Sequence, residues 1–187
     1  MDDKLRCWGG PEIFIKYHDE EWGRPVHDDK KLYEMLTLES MQAGLSWITV
    51  LNKREAFLEA FSGFDFNLVA LYDDDKIEEL MQNAKIIRNR LKIVAAVNNA
   101  ERIIEIRNEY GSFDKFIWGY VDNKPVLGSG EWVSKTKLSD RISKDLKKKG
   151  FKFVGSTTVY SFLQATGIVN DHMRDCFVYA ELKNGVS

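Results

Sequence analysis

The sequence predicts an all-α protein, and three observations carry that prediction. Apolar residues recur at helical spacing through most of the 187 residues. Arg, Lys, Ala and Glu fill the gaps between them, which favours helix even where β-branched residues are frequent. No stretch alternates convincingly in the two-residue period of a strand, the one candidate being Lys124 to Val133.

The elements follow in order. Asp28-Asp29-Lys30-Lys31 opens a capped helix that carries Leu32, Met35, Leu36 and Leu38. A second pattern runs from Ser46 to Phe61, with acids and bases mixed on its other face. Asp73 to Met81 starts on an acidic run, as a helix N-terminus prefers. Lys85 to Tyr110 is the longest pattern, and Phe113 to Val121 is a short aromatic one. Ser139 to Lys149 and Thr157 to Gly167 are two more helices, joined by Gly150-Phe151-Lys152-Phe153-Val154-Gly155. The turn-like Gly128-Ser129-Gly130 marks 124–133 as the best loop candidate. No repeat or low-complexity linker interrupts the chain, and 1–187 reads as one unit of helical lobes.

Composition bounds the function. At 44% hydrophobic and 30% charged residues, the chain has enough apolar material for a buried core. No apolar run has transmembrane length and MDDKLRCWGG has no signal-peptide core, so a soluble cytoplasmic protein without a membrane partner is expected. A net charge of −2 announces no global basic field. Lys144, Lys147, Lys148, Lys149 and Lys152 do form a local basic run, which fits either a solvated helix end or a phosphate-facing patch. No long heptad seam appears, so a monomer is expected.

Two features point to chemistry. The chain has only two cysteines and three histidines. Cys7 and His18 lie near one end, His172 and Cys176 near the other, and together they make the ligand set of a tetrahedral zinc site. His172 and Cys176 are four residues apart, a spacing that would put both on one face of a helix. A closed shell of four protein ligands leaves no place for substrate water, so such a metal would be structural. A catalytic zinc would need an open position, and His27, the one spare histidine, sits in a polar helix start. Buried free thiols or a disulfide remain alternatives at this level.

The second feature is a pair of motifs. Tyr17-His18-Asp19-Glu20-Glu21-Trp22-Gly23 and Leu38-Glu39-Ser40-Met41-Gln42-Ala43-Gly44-Leu45-Ser46-Trp47 bring large flat rings near a carboxylate in apolar company. Such rings can hold a planar base while the acid accepts from its amine, here with the base between Tyr17 and Trp47. A core role for the rings and a surface role for Glu39 are the plainer alternative. The Gly150–Gly155 turn, with lysines before it and Ser156, Thr157 and Thr158 after it, has the make-up of a hairpin that grips one phosphate. It also fits an ordinary corner between two helices.

These motifs, with Lys147-Lys148-x-Gly-Phe-Lys-Phe-Val-Gly and Gly167-x-Val-Asn-Asp-His172, resemble the DNA-3-methyladenine glycosylase I family from about Cys7 to Cys176. The resemblance implies a helix-hairpin-helix glycosylase fold with one structural Zn2+ on Cys7, His18, His172 and Cys176. It implies that Glu39 recognises the base, with Tyr17 as its catalytic companion and Trp47, Trp22 and Trp8 around the pocket. Gly44 and Leu45 would fill the gap left by an extruded nucleotide, and Gln42 beside them would bind the DNA. Gly150, Lys152, Val154, Gly155, Ser156 and Thr157 would hold the DNA backbone. The implied substrate is N3-methyladenine in alkylated double-stranded DNA, and the product is free 3-methyladenine. Alkylation at N3 makes the base cationic, so the glycosidic bond is already weakened and the enzyme needs mainly to extrude the base and position water. No lysine is placed as a Schiff-base nucleophile, so a monofunctional hydrolase is expected. Asp171 is the nearest aspartate after the hairpin, and the family does not rely on it. A zinc-stapled DNA-binding module without catalysis is the alternative.

Overall fold

A computed structural model of the chain describes residues 4–128 and 133–184. Ser129 and Gly130 of the expected loop lie outside the described residues. Eleven α-helices are present among the described residues: α1 Glu12–Glu20, α2 Asp29–Gln42, α3 Trp47–Leu51, α4 Arg54–Ala60, α5 Phe66–Val69, α6 Asp74–Gln82, α7 Arg90–Tyr110, α8 Phe113–Trp118, α9 Lys137–Lys148, α10 Ser156–Ala165 and α11 Phe177–Asn184. None of the described helices is long and apolar enough to cross a membrane.

α2 is the central helix. Asp28 caps it by accepting from the Lys31 N–H at 2.8 Å. Every residue from Leu32 to Met41 is buried, because α2 packs against α7, α8 and α10 on several sides rather than on one stripe. Glu34 and Glu39 are therefore acids in a core position. Asn89 caps α7, its side chain accepting from the Lys92 N–H, and Ser112 caps α8 in the same way from Lys115. Thr136 and Ser139 close a reciprocal capping box at the start of α9.

The structure departs from the sequence expectations at several points. The Ser46–Phe61 pattern is two helices, broken at Asn52–Lys53, where the Lys53 backbone (φ −108°, ψ 2°) leaves the helical region. The Lys85–Tyr110 pattern begins its helix only at Arg90, after the Asn89 cap. α1, α5 and α11 are additional helices. Two short strands also appear: β1 Val126–Leu127, within the one strand candidate Lys124 to Val133, pairs in parallel with β2 Val169–Asn170, which no expectation covered.

His172 and Cys176 do not share a helix. They lie on the turn before α11, closed by the Cys176 N–H donating to the Met173 carbonyl at 2.9 Å. The two ends of the described chain meet here, with the Phe177 N–H donating to the Leu5 carbonyl at 3.0 Å.

Candidate functional site: an aromatic cavity beside a cysteine–histidine cluster

A cavity of about 280 Å³ opens where α1, α2, α3 and α10 converge. Tyr17 and Phe14 come from α1, Glu39 and Gln42 from α2, Trp47 from the start of α3, and Ser161 and Gln164 from α10. Trp8, Trp22 and Val133 complete the lining. Helical spacing explains the pairs: Phe14 and Tyr17, Glu39 and Gln42, and Ser161 and Gln164 are each three residues apart, on one face.

Glu39 is 6% exposed, and no described residue hydrogen-bonds or ion-pairs with its carboxylate. Burial alone pushes its pKa up to about 8. Burial also raises the Tyr17 phenol well above its ordinary value, with the Glu39 charge adding to the effect. Three polar atoms of the lining rings, the Tyr17 hydroxyl and the Trp8 and Trp47 indole nitrogens, are buried without partners. An unpaired buried donor costs roughly 1–3 kcal/mol, so three at one cavity are a concentration that folding alone does not reward.

The expected slot between Tyr17 and Trp47 is not there. Their centroids are 5.3 Å apart and their planes tilt by 52°, so the two rings touch and form one wall. Trp8, Phe14 and Trp22 supply the other aromatic faces, Trp8 meeting Phe14 at 5.5 Å and Trp22 at 4.5 Å. Behind the cavity, Arg54 forms a bidentate pair with Glu21 at 2.7 and 2.8 Å and a third bond to Glu34 at 2.7 Å. This network holds α4 against α2 and the residues after α1.

Cys7, His18, His172 and Cys176 lie together, with their ligand atoms all within 4.8 Å of one another. Cys7 Sγ is 3.4 Å from His172 Nδ1, and Cys176 Sγ is 3.5 Å from both His172 Nδ1 and His18 Nε2. A tetrahedral zinc would hold sulfur and nitrogen ligands about 3.5 Å apart, so the spacing fits that ion. The other ring nitrogens are engaged: His18 Nδ1 lies 2.8 Å from Asp19 Oδ1, and His172 Nε2 lies 2.9 Å from the Trp22 carbonyl. Each leaves one nitrogen for a metal, the arrangement usual around ligating histidines. Arg6 in turn holds Asp19, at 2.8 Å. Burial keeps His172 neutral, with its pKa lowered to about 4. The spare His27 is elsewhere, paired with Asp114 at 2.8 Å and stacked on Trp118.

The α9–α10 connection is a tight hairpin. Phe153 adopts a left-handed backbone (φ 54°). Val154 is buried, so its side chain belongs to the core, and its carbonyl accepts from Ser143 Oγ at 2.6 Å. Ser156 Oγ is 2.9 Å from Ser139 Oγ, whereas Lys152 and Thr157 are exposed. Gly155 caps α10 without a side-chain acceptor, so no cap side chain satisfies the first-turn N–H groups. In the basic run, Lys148 pairs with Asp145 and Lys149 with Glu109. Lys144 and Lys147 line an open groove with Ser143 and Ser156.

Gly44 and Leu45 form an exposed turn at the end of α2, while Gln42 reaches the cavity itself. Asp171 does not line the cavity. Its Oδ2 accepts from Tyr160 and from Gln164 Nε2, the latter at 2.6 Å, so it braces a residue that does. Sequence alone does not single out Phe14, Val133, Ser161 and Gln164 as lining residues. The helical period of α10 could have shown the polar pair Ser161 and Gln164 on one face.

The chain matches the methyladenine glycosylase family over residues 8–179. It is 45% identical over 177 residues to DNA-3-methyladenine glycosylase of Haemophilus influenzae, covering 91% of this chain and 96% of that protein. It is 47% identical over 171 residues to DNA-3-methyladenine glycosylase 1 of Escherichia coli, covering 89% and 91%. The structure of 3-methyladenine DNA glycosylase I from Staphylococcus aureus, solved for the basis of 3-methyladenine recognition, superposes with a TM-score of 0.87 at 41% identity, covering 90% of this chain and 92% of that one. The chain belongs to the methyladenine glycosylase family, enzymes that act on N-glycosyl bonds.

Proposed function

We propose that the chain, as one glycosylase unit of helix-hairpin-helix type, hydrolyses the N-glycosidic bond of N3-methyladenine in alkylated double-stranded DNA and releases free 3-methyladenine. The observation that carries this reading is Glu39, a buried carboxyl without a protein partner at an aromatic cavity large enough for a purine.

The lesion is a flat cation. Electron-rich ring faces attract it, and Trp8, Trp22, Trp47, Tyr17 and Phe14 supply them. Glu39 accepts from the exocyclic amine, and a cation beside it favours the carboxylate over the neutral acid. An undamaged purine brings no such charge and costs more to extrude. The Tyr17 hydroxyl is the second group that the base engages. Gln42 lines the cavity, and Gly44 and Leu45 follow it on an exposed turn from which a side chain can occupy the space vacated in the duplex. The hairpin from Gly150 to Gly155 and the first turn of α10 present N–H groups to one phosphate.

No lysine lines the cavity among the described residues, which favours hydrolysis by water over a Schiff-base intermediate. Cys7, His18, His172 and Cys176 would hold one zinc ion. All four positions of its shell are protein atoms, so its contribution is to fix the chain ends and the rings beside them.

The test is direct. Alkylated duplex DNA incubated with the protein releases 3-methyladenine, measured by chromatography, and the strand stays intact until heat or base is applied. Glu39→Gln keeps duplex affinity and loses base release. Release unchanged in that variant, or strand nicking by the protein alone, would overturn the reading.

A further inference from the structure

We propose that α7 sets the distance between the two DNA-gripping loops, with Lys92 and Asn99 as positioning residues. The inference rests on the reading above, in which the Gly44–Leu45 turn and the Gly150–Gly155 hairpin contact DNA. Lys92 and Asn99 are seven residues apart on α7, two helical turns, and so lie on one face. Both are buried, at 6% and 2% exposure.

Lys92 closes the end of α2. Its Nζ donates to the Met41 carbonyl at 2.8 Å and to the Ala43 carbonyl at 2.6 Å. Between them, the Leu45 N–H donates to the Gln42 carbonyl at 2.6 Å. With Ala43 at φ −47°, ψ 115° and Gly44 at φ 81°, this is a type II turn. Leu45 follows it, 42% exposed. The turn that carries Leu45 is thus pinned at its entry by one ammonium group, which holds the carbonyls on either side of Gln42. No carboxylate pairs with that ammonium. Its charge is met by carbonyls and by the negative end of α2. A buried cation without an acid is an expensive way to pack two helices, and an apolar residue would serve packing alone.

Asn99 performs the matching task two turns on. Its Oδ1 accepts from the Lys152 N–H at 2.8 Å and its Nδ2 donates to the Lys152 carbonyl at 2.9 Å, a strand-like pair with one hairpin residue. Asn98 adds a bond to the Gly150 carbonyl at 2.9 Å. The hairpin also approaches α2, where the Phe153 carbonyl lies 3.3 Å from Ser40 Oγ, next to Glu39, whose shorter bond is to the Leu36 carbonyl at 2.8 Å. The side chain that stabilises each loop comes from the same rigid rod, so neither loop shifts without the other's reference point. Two attachments about 10 Å apart along α7 fix where the backbone is held relative to where the duplex is opened.

The experiment compares Lys92→Met and Asn99→Ala with wild type in three assays. Free 3-methyladenine binding, read by tryptophan fluorescence, stays within about twofold in both variants, because neither residue lines the cavity. Asn99→Ala weakens binding to undamaged duplex roughly tenfold by anisotropy and leaves the single-turnover rate at saturating DNA within about threefold. Lys92→Met does the reverse, with duplex affinity nearly kept and the saturated single-turnover rate down roughly tenfold. Lys92→Arg, which keeps two donors, restores at least half of that rate. Should Lys92→Met not fold, Lys92→Gln, a shorter and neutral side chain that cannot bring an ammonium to both carbonyls, carries the same comparison. Equal losses in all three assays, or wild-type behaviour in both variants, would overturn the proposal. Failure of the underlying reading looks different: wild type itself would release no 3-methyladenine.

Discussion

The ring of Trp22 meets the ring of His172 edge-to-face, with centroids 4.5 Å apart, so the cysteine–histidine cluster and the wall of the cavity share a contact. Trp8 makes a second such contact with His18 at 4.7 Å. Whatever fixes the two histidines therefore fixes two of the rings that line the cavity. Zinc removal is expected to act on recognition as well as stability. One zinc per chain should be found by elemental analysis. Stripping it should lower the unfolding free energy by on the order of 5 kcal/mol in denaturant titration. It should also weaken 3-methyladenine binding before global unfolding begins. A metal-free protein with an unchanged denaturation midpoint would count against the whole arrangement.

Glu39 gives a pH signature of defined sign. Its folded pKa, about 8, lies above its ordinary value of 4.5. Between those values the folded state holds a proton that the unfolded state has released, so stability falls as pH rises. The contribution is fully present below pH 4.5 and lost as pH passes 8. Relative to Glu39→Gln, wild type should lose up to about 1.4 kcal/mol per pH unit across that window. Parallel stability–pH curves for the two proteins would show that Glu39 is not buried as a neutral acid.

Tyr17 is expected to trade stability for recognition. Its hydroxyl is buried without a partner, and the ring is 3% exposed. Tyr17→Phe removes an unsatisfied group and keeps the ring contact with Trp47, so the free protein should gain roughly 1 kcal/mol. Affinity for 3-methyladenine should fall about five- to tenfold, the worth of one hydrogen bond. A destabilised variant with unchanged base affinity would mean that the hydroxyl serves the fold.

The contrast between what sequence revealed and what it concealed follows the range of the forces involved. α2 was legible because Asp28 and the Leu32–Met41 run are local signals, and the four metal-ligand candidates were legible as residue types. The route by which His172 and Cys176 meet was not, since a four-residue spacing suits a turn as well as a helix. α1 has no comparable local signal: Tyr17 and His18 stand in a polar motif, and nothing in the sequence ties Phe14 to the same helix. The β1–β2 pair joins Val126, inside the one strand candidate, to Val169, whose part in it is set by tertiary packing with no local pattern to announce it. The contact between Tyr17 and Trp47 was equally invisible: sequence gives ring types, while only the placement of α3 against α1 decides whether two rings face or touch.

Gly23 tests the link between cluster and cavity at a single atom. Its backbone is left-handed (φ 76°), and a Cβ there would stand 2.6 Å from His172 Nε2. That nitrogen is the one engaged with the Trp22 carbonyl, the bond that leaves Nδ1 for the metal. Gly23→Ala must therefore displace the imidazole or the chain beneath Trp22, in addition to the strain of the positive φ. A loss of more than about 2 kcal/mol is expected, with zinc affinity down roughly 10- to 100-fold. Gly44→Ala is the control. Its φ is similar, 81°, but a Cβ there meets nothing within 4 Å, so the cost should be about 1 kcal/mol and zinc binding should be unchanged. Competition titration with a chromogenic chelator separates the two cases. Equal zinc affinities in the two variants would show that the contact between Gly23 and His172 has no bearing on the metal.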